Sequence, residues 1–254
     1  MKKILNISIW IILILGLIVL LSFIGGEHSK IKCKNFLISI DYGDNKADYF
    51  ITSNEIRNFV YQITDTLKGQ KIQEIDIEMI ESEINKIPYV AKADVYLTID
   101  GIVRVNIIQR KAIVKIIDKK GKSFYIDETA KFMSLNSMHS AHVLIANGNF
   151  IIENTDTLKQ PSITYDIFCL AKYISNDEFF NAQISQIYVN QSGEIELIPR
   201  VGNQVIVFGN IDNMKNKFEK LFILYQKGFK DYGWDRFKTI NLKYENQIVC
   251  TKNI

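Results

Sequence analysis

Histidine is scarce, with 3 residues in 254, and no G-x-S-x-G, P-loop, G-x-G-x-x-G or H-E-x-x-H pattern occurs. A general base is therefore hard to nominate. His139 and His142 have no Cys or acidic ligand at a useful spacing, so they read as a solvated loop pair rather than metal ligands. Asp41, Asp44 and Asp48 share one loop but miss the ligand spacing and central glycine of a calcium loop, and are expected as turn residues. Asp127 and Glu128 are adjacent carboxylates, yet neighbours on a strand end point apart and do not flank a scissile bond. No enzymatic activity, metal or cofactor is expected.

Cysteine is also sparse and odd in number. Cys33, Cys169 and Cys250 cannot all pair internally, and buried free thiols are expected, Cys169 and Cys250 lying in apolar stretches. The formal net charge is only +3 and the Lys and Arg residues are dispersed, without the basic stripe that nucleic-acid binding needs.

Charge is missing altogether from Ile4 to Ile24. That run of about 20 residues matches the helix length that crosses a hydrocarbon core of roughly 30 Å. A cleaved signal peptide is the competing reading, but its apolar core is about 7 to 15 residues long and ends at an A-x-A-like site. Neither feature is present, nor is a lipobox before Cys33. Lys2 and Lys3 on one flank are balanced by Lys30, Lys32 and Lys34 on the other, so charge barely orients the segment. The form of a short basic head before a long apolar run gives a signal anchor: head 1–3 cytoplasmic, helix 4–24, bulk outside.

Beyond the anchor, the remaining chain exceeds the usual domain size of about 100 to 150 residues, and two units are expected, over 34–117 and 118–254. In the first, Phe36, Ile38 and Ile40 alternate as a strand. Thr52 and Glu55 form a capping box ahead of Ile56, Phe59, Val60 and Ile63. Asp76 precedes a second helical pattern that Pro88 stops, and Asp100-Gly101 joins two alternating strands as a two-residue hairpin signal. The order is strand, helix, helix, strand, strand.

In the second unit, Phe124 to Ile126 and His142 to Gly148 read as strands, and Pro161-Ser162 opens a helix with Ile163, Ile167, Leu170, Ala171 and Ile174 on one face. Ile184 to Val189, Ile195 to Ile198 and Val205 to Phe208 form an antiparallel meander. Asp212 or Asn213 caps a last helix, whose stripe of Met214, Phe218, Leu221, Phe222 and Tyr225 is expected in the core, with Gly228 ending it. Phe237 to Leu242 and Gln247 to Thr251 are short β runs.

The first unit, with Ile87-Pro88-Tyr89-Val90 running into Ala91-Lys92-Ala93-Asp94-Val95, resembles a POTRA domain, a small extracytoplasmic binding module. Val105-Asn106-Ile107-Ile108-Gln109-Arg110 and Tyr125-Ile126-Asp127-Glu128-Thr129-Ala130 resemble segments of the FtsQ/DivIB family of cell-division proteins. Ala112 and Ala130 stand where that family has a proline and a glycine. Ile240 to Val249 is similar to the family's C-terminal strand motif, and Ile198-Pro199-Arg200-Val201-Gly202 is most like the versions in the Bacteroides group. The resemblance implies an α+β chain: a transmembrane helix, a POTRA-like β-α-α-β-β domain, and a mainly antiparallel β domain with helices packed on the sheet.

It further implies a non-enzymatic divisome scaffold at the septum. The chain would sit in the inner membrane by one helix with its bulk periplasmic. Its partners would be FtsB and FtsL, through them the septal peptidoglycan synthase complex, and other division proteins at the POTRA-like domain. Lys243 and Tyr244 match the family's basic-Tyr pair at the FtsB contact, with Ile248 and Val249 on the strand beside it. The route would be β-augmentation of a sheet edge. The alternative is a membrane-anchored POTRA-type assembly factor or sensor, which would give normal septa and an envelope stress response on depletion rather than filaments.

Overall fold

The computed structural model describes residues 10–17, 31–43, 49–136, 139–152, 157–229, 233 and 236–253. Residues 10–17 are helical with exposed apolar side chains, and the rest of the expected span Ile4–Ile24 lies outside the described residues. Among the described residues no helix is long and apolar enough to cross a membrane. Asp44 and Asp48 also lie outside them. Two compact units form, Met1–Gly43 with Ile51–Gln109, and Asp44–Phe50 with Arg110–Ile254.

The first unit holds β1 (Asn35–Asp41), α1 (Ser53–Ile63), α2 (Ile77–Asn85), β2 (Val90–Leu97) and β3 (Ile102–Gln109). The three strands order as β1-β3-β2, β1 running parallel to β3 and β2 antiparallel to it. Thr52 and Glu55 cap each other's backbone amides reciprocally, which contributes about 1 kcal/mol to α1. Asp76 accepts from the Met79 amide at the start of α2. Ile56, Val60, Ile80 and Ile84 leave one face of the two helices and meet Val103, Val105 and Ile107 of the central strand. Burial of each contributes roughly 1.5 to 3 kcal/mol. The hairpin loop is one residue longer than its Asp-Gly signal, because the Thr98 amide bonds to the Ile102 carbonyl and leaves Ile99-Asp100-Gly101 outside, Gly101 taking φ +86.

The second unit holds β4 (Ala112–Ile117), β5 (Ser123–Asp127), β6 (Phe132–Met133), β7 (Leu144–Gly148), α3 (Ile163–Ser175), α4 (Glu178–Gln183), β8 (Ile184–Val189), β9 (Ile195–Pro199), β10 (Val205–Gly209), α5 (Met214–Ile223), β11 (Phe237–Asn241) and β12 (Val249–Lys252). One sheet takes all nine strands, in the order β12-β11-β10-β9-β8-β7-β4-β5-β6. Ala112–Ile117, assigned from sequence to the first unit, pairs here with β5 and β7. Ala112 opens β4 opposite Asp127, and the register shifts between it and Val114.

The sheet is less antiparallel than expected: β4 with β7, β7 with β8, and β10 with β11 are parallel. A parallel pair needs a crossover. The α3 and α4 helices supply it between β7 and β8, and α5 between β10 and β11. Helix α4, unforeseen in the sequence, is capped by Asp177. Asn213, expected as a capping side chain, sits at the helix start with φ 51 and makes no side-chain cap. The helix reaches its expected glycine through a π turn over Leu224–Gly228. Phe222 leaves the expected stripe half-exposed.

The cysteines reverse the expected order of burial: Cys33 is 1% exposed and the other two are half-buried, all three as free thiols.

Three turns share one design. Asp118, Asp127 and Asn190 each accept, on Oδ1, the amides two and four residues ahead, at 2.8 to 3.0 Å. In each the fourth residue is left-handed: Gly121 at φ 82, Gly193 at φ 83, and Ala130 at φ 64. A Cβ in that region costs about 1 to 2 kcal/mol. Glycine's greater freedom in the unfolded chain offsets part of the relief, so Ala130→Gly is expected to stabilise the second unit by about 0.5 to 1 kcal/mol. A rise in melting temperature in calorimetry of the full chain checks it; a fall would mean that the Ala130 methyl packs better than the turn strain costs.

Candidate binding edge

A sheet can accept a foreign strand only where its edge backbone is uncovered. The β2 edge is closed by its own helix: Asn85 accepts the Ala93 amide at 2.8 Å and Glu81 the Val95 amide at 2.9 Å. At the start of β1 only, Gln70 takes the amide of Cys33 ahead of the strand, Asn35 the Phe36 amide and Arg57 the Phe36 carbonyl. The β6 edge is two residues long, and beside it Lys131 bridges to Thr157. The outer side of β12 meets no such cover among the described residues. Three of its four residues are exposed.

The connection over 242–248 leads into β12. Leu242 is fully buried and its amide bonds to the Val207 carbonyl at 2.9 Å, so the chain stays zipped to β10 one residue past β11. Residues 243–247 are then all exposed. Lys243 lies over Gly209, where a Cβ would stand 2.9 Å from its Cγ, and its ammonium meets Glu194 Oε1 at 2.7 Å. That bond to Glu194 raises the Lys243 pKa above the ordinary lysine value. Lys220, from the last turn of α5, donates to the carbonyls of Leu242 and Tyr244. Tyr244 thereby has a fixed backbone and a half-exposed ring. Ile248 packs against the core, and Val249 faces out opposite Asn241.

Two hollows flank the connection. One, of about 320 Å³, has Ile223, Leu224, Gly228 and Ile248 in its lining with Lys220 and Lys227. The other, of about 260 Å³, is polar and includes Asn216, Lys217, Tyr244 and Glu245. Lys217 is nearly fully buried, and burial pushes its pKa down. Its ammonium is held by the Asn210 carbonyl at 2.8 Å and lies 4.9 Å from the centre of the Phe208 ring. It is a structural cation.

The four residues singled out from sequence thus fall in one continuous stretch of chain leading into β12. Lys243 is the exception in role, since its charge is matched inside the chain. Sequence reading missed Lys220, Ile223 and Leu224. Ile223 is 55% exposed on a helix whose apolar stripe runs elsewhere, and an apolar residue off the stripe was the available signal.

No catalytic grouping appears in the described residues. Asp127 is buried in its turn and ion-paired to Arg110 Nε at 2.7 Å, Glu128 is exposed, and His139 stands 4.4 Å from Tyr49, ring to ring. No group of three potential metal ligands occurs among them.

A family model described as FtsQ/DivIB, C-terminal related, matches residues 111–251, and one described as a POTRA-like domain matches residues 31–108. No curated protein matches the chain.

Proposed function

From the premise that this chain belongs to the FtsQ/DivIB C-terminal related family, a family of non-enzymatic cell-division proteins, we propose that it is a septal scaffold which captures an FtsB-type partner, and with it FtsL and the septal peptidoglycan synthase complex, by strand addition to β12. The general scaffold role comes with the family. The observation that supports the finer reading is the contrast between edges: Glu81 and Asn85 close β2, and β12 is left open by the described residues.

Main-chain hydrogen bonds to Val249–Lys252 would supply affinity, and the apolar hollow beside Ile248 would take a large side chain of the partner. Tyr244, half-exposed on a tethered backbone, suits an aromatic hot spot. The POTRA-like unit would recruit further division proteins. The run Ile4 to Ile24 would anchor the chain in the inner membrane with 1–3 cytoplasmic and the bulk periplasmic.

Co-purification of FtsB with the full chain tests this. Tyr244→Ala is expected to weaken capture about 30-fold, an ordinary hot-spot loss of roughly 2 kcal/mol. Lys243→Glu sets a second carboxylate against Glu194 and is expected to weaken capture as well, with thermal unfolding little changed. Wild-type capture by both variants would sink the placement.

A further inference from the structure

We infer that Lys220 is a positioning residue for the docking edge: its ammonium latches the 242–248 connection to α5 and so holds β12 in the order that strand addition requires. The inference rests on the reading of β12 as the docking edge, whose other ties are the packing of Ile248 and Cys250, the Thr239–Thr251 hydroxyl bond and the exposed Lys243–Glu194 pair.

Strand β12 has four residues and pairs on one side only, with β11, and its register already slips between Phe237 and Thr239. Short edge strands of this kind open locally at a small fraction of the global unfolding free energy. The connection before it offers no burial over 243–247. Lys243 ties the connection to the β8–β9 turn through Glu194, an exposed pair that contributes little by itself. Lys220 differs in kind. Two carbonyls of the connection, Leu242 and Tyr244, face α5 rather than a strand, and both accept from its ammonium.

A lysine suits that position for two reasons. Its ammonium has three donors and so serves two acceptors at once. Its stem shares the lining of both hollows, so removal of the ammonium leaves the hollows' walls in place. Lys217, one turn earlier on the same helix, is committed to Asn210 and cannot substitute.

The test is amide hydrogen exchange on the full chain, without partner, for wild type, Lys220→Met and Lys220→Arg. Met keeps the stem and the helix propensity while deleting the donors. Exchange over 243–252 is expected to rise about 10-fold in Lys220→Met and to return to within about 3-fold of wild type in Lys220→Arg, with β9 and β10 unchanged. Wild-type exchange over 243–252 in Lys220→Met would overturn the inference. So would an equal rise across β9 and β10, which would make Lys220 a general stabiliser of the sheet. Capture of the partner by the unmutated chain reports separately on the docking reading, so the two cannot fail for the same reason.

Discussion

Asp127→Ala should lower the stability of the second unit by about 3 to 5 kcal/mol, the range for breaking a buried ion pair by removing one partner. Both carboxylate oxygens of Asp127 are engaged. Oδ2 accepts from Arg110 Nε at 2.7 Å, and Oδ1 accepts from the Thr129 amide, the Thr129 hydroxyl and the Lys131 amide at 2.8 to 2.9 Å. The Asp127 and Arg110 side chains are 4% and 12% exposed, so the guanidinium loses its countercharge where water cannot replace it. The same deletion opens the turn that joins β5 to β6. For a unit of this size the expected fall in melting temperature is roughly 10 °C. Asp127→Asn keeps an oxygen for the turn amides and should cost about half as much. Glu128→Ala, one residue on and exposed, should stay within about 0.5 kcal/mol. Calorimetry of the four full-length proteins decides it, and a loss under 1 kcal/mol for Asp127→Ala would show that the Arg110 ion pair is not what secures this turn.

The same turn shows what kind of feature a sequence can carry. Its ingredients are local: an Asx side chain, amides two and four residues ahead, and a left-handed fourth residue. Thr52 with Glu55, Asp76 and the meander through Ile184, Ile195 and Val205 were legible for the same reason, since caps and hairpins are decided within about five residues. The strand order was not. Parallel pairing of Val205–Gly209 with Phe237–Asn241 depends on a helix between them, and nothing in either short β run encodes its neighbour's direction. Ala112–Ile117 went to the wrong unit because a buried apolar strand reads alike in either sheet.

The candidate edge divides the same way. Lys243, Tyr244, Ile248 and Val249 could be nominated together because they lie close to one another in the chain. Lys220 was not, because its partner carbonyls lie 22 and 24 residues away and carbonyls leave no trace in residue type. Closure of the β2 edge was equally silent: Glu81 and Asn85 read as ordinary exposed helix polars until Val95 and Ala93 are seen beside them. The motif proposed for the edge is therefore written in residue type, while the cover over β2 is visible only in tertiary structure.

Gly148→Ala is expected to come close to the loss of Asp127 in its effect, by a route that involves no charge. Gly148 ends β7 at φ +126, outside the conformations that a residue with a Cβ readily adopts. It is paired in register with Val189 of the parallel neighbour β8, and the Val189 carbonyl also accepts the Asn149 amide at 2.8 Å. A Cβ at Gly148 would stand 2.1 Å from that carbonyl oxygen and 2.6 Å from the Val189 nitrogen. Neither atom can swing aside as a side chain would, because both belong to a strand in the middle of the sheet. The chain must therefore rotate Gly148 toward negative φ, losing the Asn149 bond, or part β7 from β8 at that end. Strain of about 1 to 3 kcal/mol and a lost hydrogen bond of roughly 1 kcal/mol give an expected loss of about 2 to 4 kcal/mol. Gly193→Ala is the matched control: its φ of 83 carries a similar backbone penalty, but a Cβ there meets nothing within 4 Å. It should cost about 1 to 2 kcal/mol. Equal losses for the two variants, measured by urea unfolding of the full chain, would assign the whole effect at Gly148 to backbone conformation and none to the close approach of β8.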